Sequence, residues 1–159
     1  MEENVYKRNE MIFLLYSFVS STSNSHLRLL QRLRERVRKK DVFFYILSKL
    51  LFYESDTGAL TNDLYSFYFT NATQGMGAGS PVTRTKCVNI LSFLAMSDVE
   101  PVLPLLPRIE KMCSDEYWEL RGQILILCAH CLVQLNEFNL AEEEGGTMLD
   151  EQTHEEPPA

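Results

Sequence analysis

The sequence is nearly empty of strand signals: apolar and polar residues nowhere alternate over the stretch that a half-buried strand needs. That excludes a sheet and makes the class all-α. No run approaches the roughly 18 to 20 apolar residues that span a bilayer, so no membrane span is expected. Histidine is scarce: His26, His130 and His154 stand in three unrelated contexts, and no Ser or Cys lies in a strand–turn–helix elbow. Catalysis lacks a recognisable constellation, and no enzyme activity is expected. The alternate glycines Gly75, Gly77 and Gly79 are followed by no GK[ST], which excludes a P-loop and leaves 73–79 as a loop between helices. Basic residues are missing from 136–159, where eight acids stand without a Lys or Arg. Taking those eight charges from the net −7 leaves +1 for residues 1–135, so the acidity belongs to the tail. An acidic tail holding Gly145-Gly146 and Pro157-Pro158 is expected to be disordered.

What is present is apolar residue, 45% of the chain, enough to build a core for one domain of 159 residues. The four cysteines, Cys87, Cys113, Cys128 and Cys131, all sit in apolar helical contexts and read as reduced core residues of an intracellular protein, cytoplasmic or nuclear. Cys128-Ala129-His130-Cys131 is the one cluster with the look of a metal or redox site. Structural zinc takes four ligands, usually in two separated pairs, and no second pair exists. A thioredoxin-like pair belongs at a helix N-terminus, whereas this one falls late in its helix. No metal and no cofactor are expected.

The stretch Ser97–Leu135 organises the chain as two helices folded back on each other. In the second, Leu120, Ile124, Leu127, Cys128, Cys131 and Leu135 recur at helical spacing, while Leu125, Ile126, Leu132 and Val133 widen the stripe beyond one face. Ser114 is the expected N-cap, with Asp115, Glu116 and Glu119 near the positive end of the dipole. Pro101, Pro104 and Pro107 make the first helix irregular at its opening, with regular helix expected from about Leu105 to Cys113. The segment VLPLLPRIEKMCSDEYWELRGQILILCAHCL resembles a HEAT repeat. That resemblance implies an α-solenoid in which Asp115 and Arg121, at the family's spacing, help bind neighbouring repeats. A shift of 37 residues lays Arg84 over Arg121 and sets Cys87, Val88, Ile90, Leu91 and Leu94 over apolar positions of the last helix. Ala78 stands where the upstream aspartate belongs.

Taken in order, residues 3–20 predict an amphipathic helix; Glu2, Glu3 and Glu10 argue against a secretory signal. A turn at 21–25 with Asn24 or Ser25 as cap leads to a helix over 26–40. Its apolar seam is Leu27, Leu30, Leu33 and Val37; its basic patch is Arg28, Arg32, Arg36, Arg38, Lys39 and Lys40, with Arg34 beside them. Asp41 is the expected cap of a buried central helix, VFFYILSKLLFY, and a helix from Leu60 to about Thr70 follows. Asn71-Ala72-Thr73 fits the glycosylation pattern, with no other sign of secretion. Ser80-Pro81 opens the next helix as cap and N1.

The expected object is an all-α helical-hairpin solenoid or compact bundle of about seven helices over 1–135, HEAT-like from about residue 80, with the tail at 136–159. The expected role is protein–protein interaction, as scaffold or adaptor subunit of a complex. The partner surface falls on Lys86, Asn89, Phe93, Glu119, Gln123 and His130, with Val82 and Ile126 among them, and stacking is expected to keep the surroundings of Trp118 dry. The competing expectation is contact with nucleic acid or an acidic protein through helix 26–40.

Overall fold

A computed structural model describes residues 2–18, 23–57 and 60–150, and every regular element in them is helical. α1 spans Glu2–Phe18, α2 Ser23–Arg36, α3 Lys40–Thr57, α4 Asn62–Gly75 and α5 Pro81–Ser97. Two 3-10 turns, Leu103–Leu105 and Lys111–Ser114, flank the short α6, Leu106–Glu110, and α7 runs from Trp118 to Asp150.

Local chemistry sets several of these boundaries. The Thr61 hydroxyl accepts from the Leu64 amide at 3.5 Å and starts α4. Ser80 accepts from the Thr83 amide at 3.4 Å, and Pro81 then opens α5 without loss of a main-chain bond. Pro104 and Pro107 hold the chain in tight turns, so regular α-helix is confined to 106–110 and not the longer 105–113.

Layering follows from burial. α1, α3, α5 and α7 lie side by side, each touching the next, while α2 and α4 form a second layer over α3 and α5. The chain is thus three hairpins, α2–α3, α4–α5 and α6–α7, preceded by α1. α5 is the most enclosed helix: Cys87, Val88, Ile90, Leu91, Leu94 and Ala95 are wholly buried between α3, α4 and α7. α3, expected at the centre, buries Phe43, Phe44, Leu47, Leu50 and Leu51 but leaves Val42 and Phe52 exposed. Gly75 ends α4 against this core. A Cβ there would lie 2.6 Å from Phe44 Cζ and nearer still to Cys87 Sγ, so only a hydrogen fits.

Several boundaries differ from the sequence reading. α2 includes Asn24 and Ser25 and ends at Arg36, so neither residue is a cap and Arg38 and Lys39 belong to a linker. Asp41 lies inside the first turn of α3 and accepts from the Thr83 hydroxyl instead of capping. α4 continues through Asn71, Thr73 and Gln74; within it Asn71 Nδ2 and Thr73 Oγ1 donate to the carbonyls of Phe67 and Phe69, four residues back. Asn71, the sequon residue, is thereby buried. Ser114 ends a 3-10 turn; Asp115 Oδ1 takes the Tyr117 amide at 2.9 Å, the service expected of Ser114. Helix also does not stop at Leu135: α7 continues to Asp150, so no break marks residue 136. Residues 151–159, with His154 and the last acids, lie outside the described residues.

Candidate interaction surfaces

The side-by-side layer brings the expected partner residues onto one surface and adds members from α3. Asn89 sits in its middle: Ser48 Oγ donates to Asn89 Oδ1 at 2.5 Å, and Asn89 Nδ2 donates to Gln123 Oε1 at 3.2 Å, a polar seam across α3, α5 and α7. Lys86 lies 5.2 Å from the centre of the Tyr45 ring. Burial lowers the Lys86 ammonium from its usual range, Lys49 adds to that, and Glu119 opposes it. Phe93 is half-buried, its ring edge-on to Phe52 at 6.0 Å, so it is a partner of the preceding helix as much as a surface group. His130 Nδ1 lies 2.8 Å from the Ser92 carbonyl oxygen, which ties α7 to α5.

Tyr45, Ser48 and Phe52 were invisible to the 37-residue shift. They precede Lys86, Asn89 and Phe93 by 41 residues, because the Gly-rich connection before Ser80 lengthens that hairpin by about one helical turn. A search allowing variable spacing between repeats finds them.

Asp115 pairs with Arg84 of the preceding hairpin, Nη2 to Oδ2 at 2.7 Å, a contact across two successive hairpins. Arg84 also donates through Nη1 to the Ala78 and Gly79 carbonyls, both at 2.9 Å, so one guanidinium joins the loop before α5 to the turn before α7. The Tyr117 amide first, then Arg84, hold the Asp115 carboxyl below its usual range, with a smaller push from Arg121. Arg84→Ala is expected to destabilise the fold by about 1–3 kcal/mol, and Arg84→Lys by nearly as much, since an ammonium cannot span all three acceptors. Urea unfolding measures both. A group whose carboxyl is held low stabilises the fold above pH 3.8 and loses that contribution as pH falls through its folded value, so Asp115→Asn flattens the acid limb of the stability curve.

α7 has two unlike sides. Leu120, Ile124, Leu127 and Cys131 are buried against the stack. Trp118 is 70% exposed, Leu125 72% and Leu132 67%, a ridge at seven-residue spacing on the outward face. Trp118, expected in dry surroundings, therefore meets solvent. A groove of about 480 Å³ beside the ridge is lined by Cys113, Trp118, Arg121, Gly122, Ile124 and Leu125. Arg121 occupies the place in α7 that Arg84 holds in α5, and it makes no ion pair among the described residues. By length and composition Trp118–Glu142 is also apolar enough to cross a membrane, which corrects the reading that no such run exists. One side of it, however, is committed to α5 through Leu120, Ile124, Leu127, the Asn89–Gln123 bond and the His130 contact.

The basic residues Arg28, Arg32, Arg36, Arg38, Lys39 and Lys40 are all exposed. They do not form one stripe: three lie along α2, two in the linker and Lys40 at the start of α3. Beneath α2, His26 pairs with Glu54 of α3, both buried, under the Tyr16 ring. Burial raises the Glu54 carboxyl above its usual range, and the charge and hydrogen bond of His26 only partly oppose that. Periodicity gave no hint of this pair, since His26 was the first residue of an apparent solvent-facing helix.

In the Cys128–Cys131 cluster, Cys131 is buried and Cys128 half-buried, and burial pushes the Cys131 thiol up; burial raises the Cys87 thiol to about 12. Among the described residues no three His, Cys, Asp or Glu side chains are grouped to hold a metal ion. No protein-family model matches the chain, and no curated protein or solved structure matches it.

Proposed function

We propose that the chain is a non-enzymatic scaffold or adaptor subunit of HEAT-like type, and that its α7 face takes a helical hairpin of another polypeptide. One observation carries this reading: the ridge Trp118, Leu125 and Leu132 is exposed beside Arg121, which makes no ion pair among the described residues and stands in the position where Arg84 receives the acid of the next hairpin. The fitting partner is an apolar helix pair whose turn presents a carboxylate to Arg121, as Asp115 does to Arg84. A lipid surface fits less well, because one side of α7 is buried against the stack from Leu120 to Cys131 and Arg121 stands on the groove itself.

A photo-crosslinking residue at position 125 in the source cell tests this. Cross-links to another protein, weakened by Arg121→Glu and restored when the partner's matching acid is reversed to Lys, support it. Cross-links to lipid alone, to copies of this chain alone, or a partner indifferent to Arg121→Glu sink it.

The second reading, nucleic-acid contact, rests on seven exposed cations in residues 28–40 against the single acid Glu35. Titration of a short duplex at two salt concentrations decides it. Binding that fades steeply with salt and vanishes in Arg28→Ala/Arg32→Ala/Arg36→Ala favours it; no binding at low salt removes it.

A further inference from the structure

The linker between α2 and α3 closes a cavity of about 390 Å³ with the last turn of α4. Arg34, Arg38 and Lys40 stand around it, and Asn71 and Gln74 of α4 contribute amides from the opposite wall. Phe43 and Phe44, only 6% and 5% exposed, form its floor. None of the three cations makes an ion pair among the described residues, so positive charge from three backbone segments surrounds a concave space whose lining holds one acid, Glu35. Arg34 partly serves the negative end of α2, but that role requires neither Arg38 from the linker nor Lys40 from the next helix.

We propose that this cavity binds the oxyanion of an acidic peptide side chain, carboxylate or phosphate, with the apolar stem of that side chain over the Phe43–Phe44 floor. Guanidinium forks match such oxyanions bidentately, and the amide of Gln74 supplies a further donor. Peptide is favoured over nucleic acid by two features of the site. Glu35 on the rim interrupts the positive track that a phosphate backbone follows. The volume accepts a single side chain and not a strand. This site is separate from the α7 face and stands or falls independently of the scaffold reading.

The test is fluorescence anisotropy of the full chain with four probes: a leucine-flanked peptide carrying a central glutamate, its phosphotyrosine form, its neutral glutamine form, and a single-stranded RNA. The two anionic peptides are expected to bind and the glutamine form not to. Arg38→Ala is expected to weaken them roughly tenfold, while Arg28→Ala, the same charge change on α2 away from the cavity, leaves them within about twofold. Binding of one anion alone assigns the source as carboxylate or phosphate. Equal losses from Arg28→Ala and Arg38→Ala, equal binding of the neutral peptide, or tighter binding of RNA than of either anionic peptide overturns the proposal. Both arginines are exposed, and retained helicity by circular dichroism shows that the variants are folded.

Discussion

Leu127→Ala lowers the free energy of unfolding by about 2–5 kcal/mol, whereas Leu125→Ala, two residues earlier on the same helix, changes it by less than about 0.5 kcal/mol. Leu127 is wholly buried, and its removal leaves a cavity where α7 meets α5. Leu125 is 72% exposed and touches mainly solvent. By apolar content alone the two are interchangeable, so the contrast reports which side of α7 belongs to the core. Urea denaturation of the two variants measures it; comparable losses contradict the face assignment.

The second large effect concerns the buried His26–Glu54 pair. His26→Leu removes the imidazole paired with a carboxylate that is 3% exposed, and at neutral pH the cost is about 3 kcal/mol. The pH dependence identifies the cause. Because Glu54 has a folded value raised above 4.5, the native state holds a proton that the unfolded chain has released, and stability falls as pH rises through that interval. Without His26 the value rises further and the fall extends to higher pH. Stability of the variant is therefore largely recovered near pH 4.5 and lost toward neutrality. The double variant His26→Leu/Glu54→Leu regains most of the loss at neutral pH, since an apolar pair carries no buried charge. A penalty independent of pH, or one the double variant does not relieve, points to lost packing with Tyr16 instead.

Helical class was legible because the apolar period is helical in every long segment, and Ser80-Pro81 fixed one boundary to the residue. The glycine at 75 misled: it reads as a helix breaker, but here it is the residue small enough to let α4 pass Phe44 and Cys87. The basic patch read as one helix because arginine favours helix, and nothing in composition marks the linker at 37–39 where α2 gives way to α3. Asp115 reads as an acid that bridges neighbouring repeats, but which residue receives it, Arg84, is a choice that only the stacking geometry makes. The outward ridge of α7 was read partly as core, because Leu125, Leu132 and Val133 look no different in sequence from residues that another helix covers.

The chain holds a single tryptophan, Trp118, so its fluorescence reports the open α7 face without interference from a second indole. The purified chain, compared with the same chain saturated by the partner recovered through position 125, decides between an open and a closed edge. Water-like emission with efficient acrylamide quenching, turning blue-shifted and protected on binding, is the outcome expected of a side chain left 70% exposed until another hairpin covers it. Emission already blue-shifted and shielded in the isolated chain, or unchanged by a bound partner, contradicts the account.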